Sequence, residues 1–505
     1  MIGVVLKGHD FKYEVSELIK LFTSDFRFID ERDCMMVVEN TVFFHNNNVF
    51  SKTMYCENYG VIYEHVEHRS LEGLCERENK KVIKETIKRS IFKILEKKFN
   101  ITPPWGILTG IRPVKIVHSL LDNNFSDDQI KEKLKNDYFI SDDKIDLALD
   151  IAKRERKFIY PIDENKVSLY VSIPFCPTRC YYCSFPANSL KQFGGLKPTY
   201  VAKLLEEVEG VARLLREQNK TIETLYIGGG TPTTLTPEEM DTLIKGLFER
   251  FDLSEIKEFT VEAGRPDTIN REMLEVLKRN NVDRISINPQ SMNDETLKKI
   301  GRNHNVQDII DCFHLAREIG FDNINMDIIL GLVDENLDMV RNTLDKIKEL
   351  SPESLTVHTL AVKRTSKLKE NLQDYELAQY EEMVKMISLA KEYAKDMGLN
   401  PYYMYRQKHM LGNLENIGYA KEGYECIYNM QIMEEKQSNY ALGAGSITKF
   451  VYPDEDRIER VENVKNVEQY INRVDEMIKR KYEEVEKNAK YSAKRNKRYI
   501  TKRSI

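Results

Sequence analysis

The segment Tyr170-Val-Ser-Ile-Pro-Phe-Cys176-Pro-Thr-Arg-Cys180-Tyr-Tyr-Cys183-Ser-Phe185 decides how this chain is read. It leaves a β-rich run, Ser168–Ile173, and carries three cysteines as Cys-x3-Cys-x2-Cys. Clustered thiolates hold metals or iron–sulfur clusters, which normally take four of them. Structural zinc sites usually pair two Cys-x2–4-Cys units, and no second pair is present. The plant-type ferredoxin spacing, Cys-x4-Cys-x2-Cys with a distant fourth ligand, does not match either. Three ligands on a four-iron cluster would leave one iron open to a small molecule. The other cysteines, Cys34, Cys56, Cys75, Cys312 and Cys426, stand alone and read as small buried hydrophobes.

Working outward, the same pattern recurs down the chain. Short β-rich runs at 168–173, 224–227, 258–262, 284–288, 323–328 and 354–359 alternate with amphipathic segments at 198–217, 238–250, 270–280, 306–319 and 335–350. Such alternation implies βαβ units and a parallel sheet. Six units fit either a partial (β/α) barrel or a doubly wound sheet, and periodicity does not choose between them. In a barrel, chemistry belongs at the C-terminal strand ends. The candidates do follow strands: the cysteines after the first, Gly228-Gly-Gly-Thr-Pro-Thr233 after the second, Glu262 at the end of the third. Glycines there let backbone approach a ligand closely. A phosphate loop would end in Gly-Lys-Ser/Thr, which is missing.

The cysteine loop resembles the signature of the radical S-adenosylmethionine (SAM) enzymes. The resemblance implies a partial (β/α)6 TIM-like barrel, and a [4Fe–4S] cluster on Cys176, Cys180 and Cys183 whose fourth iron is chelated by SAM. Tyr182, just before the third cysteine, stands where an aromatic ring packs beside an adenine. The Gly-Gly-Gly-Thr-Pro-Thr run and the Tyr-Val-x-Ile-Pro-Phe-Cys loop together resemble the oxygen-independent coproporphyrinogen III oxidase family over about 168–450. Trp105-Gly-Ile-Leu-Thr-Gly-Ile-Arg-Pro113 points to its HemZ-like branch, which carries an extra N-terminal region.

Members of that family place two SAM molecules in the barrel. Tyr170, Tyr182, Gly229 and Glu262 match positions contacting the cluster-bound one; Gly230, Thr231, Gln290, Arg302, Asp327 and Ala361 match contacts to the second. The implied reaction begins with one-electron cleavage of SAM to methionine and a 5′-deoxyadenosyl radical. The radical takes hydrogen from a substrate propionate, which then loses CO2 and an electron. Two propionates become vinyls, turning coproporphyrinogen III into protoporphyrinogen IX in haem biosynthesis. The substrate is tetra-anionic, so cations at the barrel mouth should recognise it; Arg179, Lys363 and Arg364 are candidates. A low-potential donor such as flavodoxin or ferredoxin is the implied electron source. This chain departs from well-studied members in carrying Ser172 for a histidine, Phe185 for a further cysteine, and Val333 for the proline of Gly-Leu-Pro. Two alternatives sit on the same scaffold: a haem-binding chaperone, and an anaerobic methyltransferase that opens haem.

Composition supports this frame. The chain has 505 residues, 41% hydrophobic and 31% charged, with 76 basic and 81 acidic side chains for a net charge of −5. That excludes a chain disordered throughout and argues against coating nucleic acid through bulk charge. No apolar run approaches the ~20 residues of a membrane span, and the first six residues make too short a core for a secretory leader. A reducing, cytoplasmic setting is expected. The expected organisation is an α+β domain over 1–165, the barrel over 166–400, a mixed α/β family-specific segment over 401–480, and a basic tail over 481–505, helical or disordered. In the first domain, Asn46-Asn-Asn48 reads as a hairpin turn, while 80–98 and 126–155 read as helical. A further helix is expected at about 374–398.

Overall fold

The computed structural model describes residues 1–30, 35–110, 112–184, 188–361, 379–406, 410, 414–455 and 457–503, with 454 and 492–503 described by backbone alone. The chain divides into two compact units, Met1–Asp150 and Ile151–Ile505.

In the first unit, five strands form a sheet in the order Phe26–Phe28, Ile2–Lys7, Met36–His45, Asn48–Glu57, Gly60–Ser70. Asn46 and Asn47 both adopt positive φ, 47° and 58°, the backbone that lets a two-residue turn follow the twist of its flanking strands. Helix Glu76–Phe99 buries Ile87, Ile91 and Leu95 completely. The segment expected as helical over 126–155 is two helices, Asp127–Tyr138 and Asp142–Ile159. Phe139 between them takes a left-handed φ of 60° and caps the first.

In the second unit, the six anticipated strands are Lys166–Ile173, Thr221–Gly229, Glu258–Gly264, Arg284–Ile287, Ile324–Leu330 and Ser354–Thr359, each parallel to the next in sequence order. Strands covered by helices on one side and side chains on the other read as near-continuous apolar runs. The first strand instead alternates: Val167, Leu169, Val171 and Ile173 are fully buried, with Ser168, Tyr170 and Ser172 between them. Each of the four apolar side chains contributes about 1.5–3 kcal/mol. The intervening helices, Lys197–Glu217, Pro237–Arg250, Arg271–Arg279, Val306–Ile319 and Leu337–Leu350, start at local caps. Thr236 and Glu239 cap each other, as do Asn305 and Asp308, and each pairing satisfies N–H groups the helix cannot use.

The segment after 400 builds onto the same sheet. Ser438–Leu442 adds a seventh parallel strand beside Lys166–Ile173, and Ile447–Tyr452 and Arg457–Glu462 continue antiparallel from it. Asn416–Ala420 and Asn400–Tyr405 extend the other edge. The result is eleven strands in one sheet. The physical reason is the edge problem: an open parallel sheet leaves unpaired N–H and C=O rows on both sides, and these additions pair them. Of the helix expected at 374–398, Tyr380–Asp396 lies within the described residues. No helix among the described residues is long and apolar enough to cross a membrane.

The last helix runs Val474–Arg503, so position 481 lies inside it. Lys481 is fully buried and pairs with Glu207 of helix Lys197–Glu217 at 2.8 Å. Glu207 also accepts from Asn463 Nδ2 (2.8 Å), the Gly443 N–H (2.8 Å) and the Tyr470 hydroxyl (2.5 Å). The next residue, Ala444, is tied to the first barrel strand, since the Tyr200 hydroxyl donates to Ser172 O at 2.7 Å and accepts from Ala444 N at 3.0 Å.

Candidate functional site

The cysteine loop begins where the first barrel strand stops. After Pro174, the pair Phe175–Cys176 forms a short strand with Asn188–Ser189. The glycine run after the second strand is laced onto it: Gly230 N–H donates to Ile173 O and Thr231 N–H to Phe175 O, both at 2.8 Å. A Cβ on Gly230 would fall 2.5 Å from Phe175 O and 2.9 Å from Cys176 Sγ. Gly229 holds φ +117°, and a Cβ there would meet Ser172 Oγ at 2.9 Å. These glycines are therefore demanded by the approach of the cysteine loop itself. The loop's far side is anchored by Tyr181 N–H to Ile300 O (3.1 Å) and Thr178 Oγ1 to Gly301 O (3.2 Å).

Cys176, Cys180 and Cys183 line one cavity of about 370 Å³, together with Tyr182, Gly229, Gly230, Thr231, Glu262, Gln290, Arg302, Asp327 and Ala361. Twelve positions scattered over about 190 residues thus meet at the C-terminal strand ends. Tyr170 stands apart. Its ring stacks on Tyr226 and Tyr428, with centroids at 6.0 and 6.1 Å, and lines a neighbouring cavity of about 200 Å³ with Ser172, Gly229 and Gly230. Ser172, where well-studied members carry histidine, donates to Ala444 O at 3.0 Å. Of the suggested cations, exposed Arg179 lines the cysteine cavity; Lys363 and Arg364, like Phe185, lie outside the described residues. So does Cys34. Cys56, Cys312 and Cys426 are buried as expected, but Cys75 is exposed, at the N-terminus of helix Glu76–Phe99.

The donor set suits a soft cation. Burial pushes the Cys176 thiol up to about 11, and the nearby thiols of Cys183 and Cys180 add to this against Thr231 and Arg265. Thr231 Oγ1 points at Cys176 Sγ (3.8 Å) and Arg265 Nη1 at Cys180 Sγ (3.7 Å). A metal bound there would reverse the balance, because coordinating thiols ionise outright. Beyond the cysteines the wall is polar. Arg302 donates to the Tyr182 hydroxyl (2.9 Å) and to Asn288 O (3.3 Å). The Arg302 Nε and Gln290 Oε1 atoms are buried with no hydrogen-bond partner, and Gln290 holds a left-handed φ of 68°. An unmet donor and an unmet acceptor in one cavity suit a polar ligand, since each costs desolvation energy while unpaired.

Two carboxyl groups face the same space and are shifted in opposite directions. Burial raises the Glu262 carboxyl to about 7, against a hydrogen bond from Tyr226 at 2.7 Å, with Asp327 raising it further. Burial also works on Asp327, but His358 (3.7 Å), Asn325 (2.7 Å) and Thr356 outweigh it and hold its carboxyl below the ordinary range. The Tyr405 hydroxyl meets the other ring nitrogen of His358 at 3.2 Å. Tyr226, His358 and Arg265 were missed in the sequence. Tyr226 and His358 sit inward on barrel strands, a signal that inward alternation near the C-terminal ends could have supplied.

Glu262 makes a pH prediction for the metal-free protein. The unfolded chain ionises this carboxyl near 4.5, the folded protein only near 7. Its contribution to stability is therefore complete below about pH 4.5 and lost as pH rises through 7, which at about 1.36 kcal/mol per pH unit comes to about 3 kcal/mol. Glu262→Gln does not titrate. Denaturant unfolding should show the variant gaining about 3 kcal/mol on the wild type between pH 4.5 and pH 8. A difference that stays level across that range would place the carboxyl in a different environment.

Comparison with known proteins places the chain in a family. A model of the radical SAM superfamily matches residues 170–347. The oxygen-independent coproporphyrinogen-III oxidase-like protein HemZ of Bacillus subtilis (strain 168) is 43% identical over 428 residues, covering 83% of this chain and 85% of that protein. The heme chaperone HemW of the same organism is 31% identical over 285 residues, covering 55% of this chain and 70% of HemW. The solved structure of coproporphyrinogen III oxidase (HemN) from Escherichia coli, a radical SAM enzyme, shares the fold at a TM-score of 0.51 and 24% identity, over 65% of this chain and 73% of that one. With three cysteines gathered at the end of the first barrel strand and a HemZ relative aligned over most of both chains, the protein belongs to the radical SAM family of oxygen-independent coproporphyrinogen III oxidase-like proteins.

Proposed function

We propose that this protein converts coproporphyrinogen III to protoporphyrinogen IX by anaerobic oxidative decarboxylation of two propionates. The observation that carries the reading is the single cavity in which three thiols, two dissimilar carboxylates and several arginines face one another. Cys176, Cys180 and Cys183 would hold a [4Fe–4S] cluster with one iron left for SAM. When bound, the cluster and SAM supply a hydrogen-abstracting organic radical. The chain's part is positioning and exclusion of water. Glu262, held by the Tyr226 hydroxyl, would accept hydrogen bonds from ribose hydroxyls. Gln290 Oε1 and Arg302 Nε offer an acceptor and a donor to a second SAM, with Asp327 held ionised beside them. Arg179 gives an exposed cation at the mouth for a substrate carboxylate, where its planar fork can bind bidentately.

A second reading, haem binding without turnover, is favoured by the HemW relatives, one of them 31% identical over 70% of its own length. One experiment separates the two. Reconstituted protein, SAM and a low-potential reductant are incubated anaerobically with coproporphyrinogen III, and the products are separated chromatographically. The decarboxylase reading expects a divinyl product that appears only with all components. Tight haem uptake with no tetrapyrrole conversion would replace it with the chaperone.

A further inference from the structure

Arg265 follows the third barrel strand and is buried, its side chain 5% exposed. Three of its nitrogens are engaged in a fixed arrangement. Nε and Nη2 grip Asp267 bidentately at 2.9 and 2.7 Å. Nη1 reaches Thr178 O at 3.1 Å, Thr178 Oγ1 at 3.0 Å and Cys180 Sγ at 3.7 Å. His304 packs on the other side of Asp267, Nδ1 to Oδ1 3.5 Å. Arginine keeps its charge in proteins, and its planar fork cannot hold Asp267 in this way and aim Nη1 elsewhere. Asp267 thus sets the direction of the donor, and the donor ends on a sulfur of the cysteine loop.

We propose that Arg265 is a positioning residue that raises the reduction potential of the cluster held by Cys176, Cys180 and Cys183. The inference rests on the cluster reading above but not on the identity of the substrate. Reduction brings one electron from an external low-potential donor into the cluster; no bond forms or breaks and no proton moves. The reduced cluster carries one more negative charge than the oxidised one. A buried cation beside a ligand sulfur stabilises the reduced state more, and hydrogen bonds to the sulfurs are among the factors that set such potentials. Exposed Arg179, in the same loop, is screened by water and should matter far less.

The test is a redox titration of the reconstituted full-length protein, followed by electron paramagnetic resonance. At the wild-type midpoint potential, Arg265→Gln should lower the reduced-to-oxidised ratio about tenfold, equivalent to about 59 mV for one electron. Arg265→Lys keeps a charge but cannot span both Asp267 and Cys180, so its ratio should fall about threefold. Arg179→Gln should stay within about twofold of wild type. An Arg265→Gln ratio equal to wild type, or an Arg179→Gln shift as large, overturns the proposal. Should Arg265→Gln take up no cluster, Arg265→Lys decides, and an unmoved ratio there overturns it. Wild-type protein that holds no cluster would instead defeat the cluster reading itself.

Discussion

Cys180→Ala is expected to leave a folded protein that takes up no stable cluster and cleaves no SAM. The thiol is small and buried, with Arg265 and a loop backbone around it, so truncation removes one sulfur from a site that can close around it, at about 1 kcal/mol. The chemical loss is total by comparison. Two thiolates remain where even three are one short of a normal cluster set. Anaerobic reconstitution followed by iron analysis and visible absorption reads this directly. Cys312→Ala is the matching control: that thiol is buried on helix Val306–Ile319, pushed up to about 12 by burial alone, and inert for that reason. It should keep the wild-type absorption. A Cys180→Ala protein with full iron–sulfur absorption would remove Cys180 from the ligand set.

The largest stability effect is expected at Glu207, which does not line the cysteine cavity. Glu207→Leu leaves the fully buried ammonium of Lys481 with Asn463 Oδ1 (2.9 Å) and a long contact to Met477 O (3.4 Å). It also strips acceptors from Gly443 N–H and the Tyr470 hydroxyl. Breaking a buried pair from one side typically costs about 3–5 kcal/mol, whereas replacing both partners by apolar groups is often near neutral. Chemical denaturation should therefore show a loss of about 3–5 kcal/mol for Glu207→Leu and recovery of much of it in Glu207→Leu/Lys481→Met. Hydrogen exchange should quicken over 474–482 in the single variant, as the last helix loses its hold. A single variant within about 1 kcal/mol of wild type would mean that water or rearrangement satisfies Lys481.

The same residues show what a sequence can and cannot disclose. The six parallel strands were legible because apolar runs and capped helices are local patterns. The cysteine loop was legible because its three cysteines fall within eight residues of chain. Arg265 was not, since its partners Thr178 and Cys180 lie 87 and 85 positions earlier, and an arginine before a proline has no local signature. Glu207 and Lys481 are 274 positions apart; the first read as an ordinary charge on an amphipathic segment, the second as the start of a basic tail. The strand Ser438–Leu442 was hidden for a related reason. Its hydrogen-bond partner is the strand that opens the barrel, at the far end of the unit. Tyr170 shows the converse. Resemblance grouped it with the cavity, whereas packing against Tyr226 and Tyr428 turns its ring into the neighbouring one.

The most direct test of the central claim is to follow SAM and tetrapyrrole together in one anaerobic reaction. Wild-type protein with reductant, SAM and coproporphyrinogen III should form methionine and 5′-deoxyadenosine in step with carbon dioxide and vinyl groups, and Cys180→Ala should form none of them. Cleavage of SAM with the propionates left intact would contradict the decarboxylase account while leaving the radical SAM site standing.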